Sequence, residues 1–193
     1  MPKMVTIAPE SYRAMPWANG RGVTTEIARS PEGDSSFGWR VSVARVNEDG
    51  PFSELPGIDR ILVVLEGSGI RLDVRGQSEG VVVAPLRPYS FSGDLETIGR
   101  LVDGPIRDFN VMTRRGVARA RVMVVDRIGP AKLEVPGLAL VYCASGAGTI
   151  ASGLGSAVLG AGSTAIVSPT GGAITVEPAA ERSVLLVVGI DVG

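Results

Sequence analysis

From Trp39 to Val46 large apolar side chains alternate with small or polar ones, the period-two signature of a strand. Trp39, Val41 and Val43 share one face, and Arg40, Ser42 and Ala44 share the other. Residues 58–65 form an almost continuous apolar run opened by Asp59 and Arg60, which predicts a buried strand with a charge at its mouth. The same patterning predicts strands over 4–7, 23–28, 70–74, 81–85, 86–92, 97–102 and 108–114. After Ala118 charges thin out, and strands are predicted over 120–127, 138–143, 148–152, 156–159, 164–167, 173–177 and 183–190. No 11-residue window keeps a helical spacing, so helix is expected at most as a short turn over 49–55 or 104–107.

The two halves repeat. Val64-Leu65-Glu66-Gly67-Ser68-Gly69 and Cys143-Ala144-Ser145-Gly146-Ala147-Gly148 each end an apolar strand in Gly-x-Gly, 79 residues apart. A period that long indicates a duplicated domain rather than a solenoid. It divides the chain into halves at 1–116 and 117–193, the first carrying the candidate pocket.

The 193 residues are 45% hydrophobic, with 26 Gly and 13 Pro scattered along the chain, which suits many short strands joined by tight turns. A net charge of -1 without a basic block argues against nucleic-acid and membrane-surface partners. No apolar run is long enough for a membrane helix, and the first ten residues lack the apolar core of a signal peptide. The single Cys143, between Tyr142 and Ala144, reads as an inert buried thiol in a reducing cytoplasm. Histidine is absent, which removes imidazole metal ligands, a Ser-His-Asp triad and imidazole acid–base chemistry. No clustered Asp/Glu spacing suggests a carboxylate metal site, so neither metal nor cofactor is expected.

The candidate chemistry lies in the first half. Arg40, on the same strand face as Ser42, and Arg60 each need an acidic partner or a solvent-filled cavity. They either form structural ion pairs with Glu26, Asp59 or Asp108, or clamp a ligand carboxylate through paired N–H donors. Asn19 and Asn110 carry both donor and acceptor and suit an amide or formamide group. Trp17, Phe91 and Phe109 would supply apolar walls. Asp108, Asn110 and Met112 alternate onto one face, while Thr25 faces away from Thr24 and Glu26; Thr25 and Glu26 are included among the site candidates. Glu26 is the weak candidate for a general base. The second half, poor in functional side chains, closes the sandwich, and its flat apolar faces offer a homodimer surface.

The string VLEGSG after a Pro-rich turn, followed by VAPLRPYSF, resembles the double-stranded β-helix of the cupin superfamily. On that pattern Arg60 stands at the usual Glu ligand, Ser53 to Leu55 at the usual His pair and Tyr89 near the later His. A more specific set occurs in order: Met-Pro-Trp-x-Asn-Gly-x-Gly-x-Thr-x-Glu-Ile, Trp-Arg-x-Ser-x-Ala, Gly-Pro-Phe-Ser, Pro-Gly-x-Asp-Arg and Asp-Phe-Asn-Val-Met-x-Arg-Arg-Gly. It resembles the HutD/Ves family, from which the chain departs at Ala18, usually Lys, and Arg21, usually Gly. The resemblance implies an all-β bicupin, an RmlC-like double-stranded β-helix, often dimeric. It further implies an association with histidine utilisation, through regulatory binding of a small pathway metabolite, or with a stress response. Joined to the two arginines and the missing histidines, this gives the expectation of a metal-free protein that binds a small carboxylate metabolite. Two alternatives stand beside it: a cofactor-independent isomerase, lyase or hydrolase using Glu26 or Asp108, and a structural dimer that engages another protein.

Overall fold

The computed structural model describes residues 2–17, 22–32, 36–169 and 172–193. Its strands are β1 (Lys3–Ile7), β2 (Arg13–Pro16), β3 (Gly22–Ser30), β4 (Trp39–Val46), β5 (Gly50–Phe52), β6 (Ile58–Glu66), β7 (Ile70–Val74), β8 (Val81–Val83), β9 (Tyr89–Ser92), β10 (Thr97–Leu101) and β11 (Ile106–Arg114). There follow β12 (Ala118–Val125), β13 (Ala131–Val135), β14 (Leu138–Ser145), β15 (Ala147–Ser152), β16 (Gly155–Gly160), β17 (Thr164–Ser168), β18 (Gly172–Pro178) and β19 (Val184–Val192). A 3-10 turn at Pro9–Ser11 is the only helical element among the described residues, none of which forms a helix long and apolar enough to cross a membrane.

The chain forms two compact units, Arg13–Val117 and Met1–Tyr12 with Ala118–Gly193. In the contiguous unit, a six-stranded sheet (β2-β3-β4-β11-β6-β9) and a four-stranded sheet (β5-β10-β7-β8) share one core. Leu62 and Val64 of β6 and Ile106 of β11 pack there with Ile70, Leu72 and Val74 of β7 and Val83 of β8. The other unit repeats this plan with a five-stranded sheet (β1-β17-β14-β19-β12) and a four-stranded sheet (β13-β18-β15-β16). Adding eight to each strand number in β4-β11-β6-β9 gives β12-β19-β14-β17, and β5-β10-β7-β8 likewise gives β13-β18-β15-β16. The Gly-x-Gly repeat thus marks a duplicated topology. Gly67 and Gly146 both adopt positive φ, where a Cβ would strike Ile106 and Ser183 respectively.

Several expectations change. The turns considered helical over 49–55 and 104–107 are instead β5 and the entry to β11. Pro51 is tolerated because β5 is a sheet edge, pairing on one side with β10. The short strands β2 and β5 lack the length or alternation to stand out in sequence, whereas β13, Ala-Lys-Leu-Glu-Val, alternates cleanly and is an addition to the expected strands that its pattern supports. The largest change concerns residues 1–12, expected in the first half. Lys3–Ile7 pairs antiparallel with β17, so this segment completes the unit built from the C-terminal residues.

Tyr12 ends that segment. Its phenol meets the Gly162 carbonyl at 2.8 Å and Thr164 Oγ1 at 2.6 Å, and burial pushes its pKa up to about 12. Removing the hydroxyl in Tyr12→Phe leaves the ring and strands the Thr164 partner. The expected loss is about 1–2 kcal/mol of stability, measured by urea denaturation.

Candidate functional site

The inner face of the six-stranded sheet carries the candidate chemistry in three cross-strand rows. Thr24, Ala44, Asp108 and Val64 form one row; Glu26, Ser42, Asn110 and Leu62 the next; and Arg29, Arg40, Met112, Arg60 and Phe91 the third. Arg40 and Arg60 flank Met112 at two strand spacings, roughly 10 Å between backbones. A β-bulge between Glu26 and Ala28 inserts one residue into β3. It puts Arg29 on the face of Glu26, although three residues of regular strand would put them on opposite faces.

The result is a cavity of about 480 Å³ between the two sheets of this unit, within the range of small-molecule sites. Arg40, Ser42, Arg60, Asp108, Asn110 and Met112 line one wall. Gly50, Pro51 and Phe52 of β5, Ile70 of β7 and Gly99 of β10 line the facing wall. Glu48, Asp49 and Ser53 are exposed lining residues at the rim, where Asp49 accepts the Leu101 N–H at 2.8 Å. Gly99 makes room for the aromatic wall, since a Cβ there would stand 2.6 Å from the Phe52 ring. Gly22 plays the same part for Trp17, whose Nε1–H donates to Thr24 Oγ1 at 2.8 Å.

Arg60 is 4% exposed, Asn110 3% and Asp108 1%. Arg60 Nη2 donates to Asn110 Oδ1 at 3.0 Å, and Asn110 Nδ2 donates to Asp108 Oδ1 at 2.7 Å. The guanidinium carbon lies 4.9 Å from the Phe52 ring centre and 5.0 Å from that of Phe91, within cation–π range of both. Arg60 Nε and Asp108 Oδ2 have no hydrogen-bond partner in the protein. Burial lowers the Arg60 pKa to about 10 against the pull of the Asp108 charge, with Arg40 lowering it further. Burial likewise raises the Asp108 carboxyl from 3.8 to about 7, against the opposing effects of Arg60, the Ala44 backbone N–H and Asn110.

Arg40 is spoken for differently. Its Nε lies 2.6 Å from Glu26 Oε2, an ion pair off the line of a hydrogen bond, and Arg29 Nη1 approaches the same oxygen at 3.8 Å. Glu26 is therefore held between two guanidinium groups, an arrangement suited to fixing Arg40. Of the sequence candidates, Trp17, Arg40, Ser42, Arg60, Asp108 and Asn110 line the cavity together, Glu26 braces Arg40, and Phe91 backs Arg60. Asn19 falls outside the described residues. Thr25 is a correction: it pairs across from Val43, whose other neighbour is Phe109, so Thr25 and Phe109 share the opposite face of the sheet. Thr24 takes the cavity position, and Phe52 forms the wall expected from Phe109. Asp59 pairs with Arg115 at 2.8 Å on the surface rather than with either candidate arginine. Phe52 and Ser53 lay within the Gly-Pro-Phe-Ser motif, the sequence signal that could have located them.

The HutD family model matches residues 9–186. An uncharacterised 21.2 kDa protein in the hutC 3' region of Pseudomonas putida is 41% identical over 127 residues, 65% of this chain and 66% of that protein. Protein Ves of Escherichia fergusonii is 37% identical over 119 residues, 60% of this chain and 62% of its own length. Both alignments thus span just under two thirds of the relative. The solved structure of HutD from Pseudomonas fluorescens SBW25, in a formate condition, is 30% identical over 99% of this chain and 100% of its own, with a TM-score of 0.84. A Bacillus subtilis oxalate decarboxylase, 9% identical with a TM-score of 0.69 over 97% of this chain and 77% of its own, shows the cupin β-barrel fold alone. The metal that many cupins hold does not suit these residues. A guanidinium stands at the usual Glu position, and no group of three His, Cys, Asp or Glu that could hold a cation occurs among the described residues.

Asp108 binds its proton more readily folded than unfolded between pH 3.8 and about 7. The stability it contributes is full below that window and is lost as pH rises through 7. In urea midpoints measured from pH 4 to pH 8.5, wild type is expected to lose stability relative to Asp108→Asn up to about pH 7, with a constant difference above it. Parallel curves across the range would mean that Asp108 does not titrate in that window.

Proposed function

The chain belongs to the HutD family, and on that footing we propose that it binds a small carboxylate-bearing metabolite in this cavity, without a metal, as a regulatory component of histidine utilisation. The observation that carries the reading is Arg60: a guanidinium in the cavity wall, aligned by Asn110, backed by Phe52 and Phe91, with Nε lacking a protein acceptor. Such a group is preorganised to accept a ligand oxygen as its partner, because the cost of ordering and desolvating it is met in folding. Arg40, fixed by Glu26, adds a second positive centre on the same wall. The Pseudomonas relatives, one beside hutC and one named HutD, supply the pathway context.

Thermal-shift titration with a panel of small acids, including formate and the acids of histidine degradation, tests the reading. A ligand raises the melting temperature in a concentration-dependent way. Arg60→Met is expected to weaken that ligand by about tenfold to a hundredfold, the worth of a charged hydrogen bond. Arg100→Ala, which removes a surface partner of Asp73, leaves affinity intact. Equal affinity in wild type and Arg60→Met would sink the reading. Gly99→Ala forces the Phe52 ring away from its place and is expected to reduce affinity while Arg60 remains present.

A further inference from the structure

The charges around Asp108 already balance. On its own strand stand neutral Asn110 and Met112; Arg60 faces it from β6 and Arg40 from β4, the latter held by Glu26 of β3. The facing sheet contributes Gly50, Pro51, Phe52, Ile70 and Gly99, none of them titratable, and the rim adds Glu48 and Asp49. Among the groups that line the wall, Arg60 is offset by Asp108 and Arg40 by Glu26; Arg29, 3.8 Å from the same Glu26 oxygen, lies outside the cavity lining. A ligand carboxylate at Arg60 leaves one uncompensated negative charge in a wall largely withdrawn from water. Two carboxylates sharing one guanidinium in such a place cannot both stay ionised cheaply.

We propose that a carboxylate binds in this cavity only beside a neutral Asp108, an ionised Asp108 first taking one proton from solvent on Oδ2, so that Arg60 and a protonated Asp108 both donate to the ligand and Asp108 distinguishes a carboxylate from the matching carboxamide. The proposal rests on the carboxylate reading above. The balance is simple: ligand carboxylate, ionised Asp108 and one solvent proton become a bound carboxylate and a neutral Asp108, with no change in net charge at the wall. Oδ1 accepts from Asn110 Nδ2, whereas Oδ2 makes no hydrogen bond of good geometry, the Ala44 backbone N–H acting on the carboxyl from nearby. A proton on Oδ2 likewise has no acceptor until a ligand oxygen supplies one. An amide ligand reverses the roles: its N–H donates to ionised Asp108 while Arg60 donates to its carbonyl, and no proton moves. The buried carboxyl is poised for the exchange, since its proton is already held up to about pH 7.

Formate and formamide, alike in shape and different in charge, are the probes. Titration calorimetry of the full chain, run between pH 5.5 and 8.5 in buffers of different ionisation enthalpy, counts the protons. Formate is expected to take up close to one proton at pH 8 and to weaken about tenfold per pH unit above pH 7. Formamide takes up none and does not weaken in that range. In Asp108→Asn the uptake disappears and formate affinity becomes flat with pH; if that variant does not fold, the wild-type proton count decides alone. Formate binding through Arg60 with flat affinity and no uptake overturns the proton inference and leaves the carboxylate reading standing. Formate that binds wild type no more tightly than Arg60→Met overturns both.

Discussion

A guanidinium placed inside a β-sandwich must be held on every side, and much of the contiguous unit's inner architecture answers that requirement around Arg60. Its register opposite Met112 brings Asn110, one row away on the same face, within hydrogen-bond reach. Asp108 supplies countercharge through that amide rather than by direct pairing. The two rings against it come from different sheets: Phe91 from the adjacent strand of its own, and Phe52 from the short edge strand opposite. Phe52 can sit there because residue 99 has no side chain. A register slip of one residue in β6 would turn Arg60 to the outer face and abandon all of these partners.

The duplicated unit shows what the same lattice does without the charges. By the 79-residue offset and the pairing of β14 with β19, Ala139 stands for Arg60, Val187 for Asn110 and Leu185 for Asp108. All three are fully buried in the hydrophobic core of that unit. One copy of the topology has thus packed its interior with aliphatic side chains, while the other keeps a cavity whose wall is polar. The two outcomes rest on a few inward-facing positions rather than on any difference in strand order.

Alternation made the inner wall legible in the sequence. Arg40 with Ser42, and Asp108 with Asn110 and Met112, were readable as shared faces because regular strands keep period two. The bulge in β3 was not readable, since an inserted residue leaves no compositional mark, and with it went the placement of Arg29 beside Glu26. Phe52 was hidden for another reason. Its three-residue strand lies in a Gly- and Pro-rich stretch that reads as turn, and only pairing with β10 reveals it. Nor does alternation say which arginine keeps an unused donor; that depends on Glu26 lying against one and Asn110 against the other.

The first strand has a consequence for how the chain matures. Its partner β17 lies some 160 positions downstream, whereas all the strands of the contiguous unit fall within 13–117. As the polypeptide leaves the ribosome, that middle stretch holds its complete set of partners before the C-terminal strands exist. β1 has no strand partner until β17 has been made, and the long loop their pairing closes carries an entropic cost. Synthesis order therefore lets the unit at 13–117 complete its strand pairing without any later residue, whereas β1 depends on a partner made far downstream.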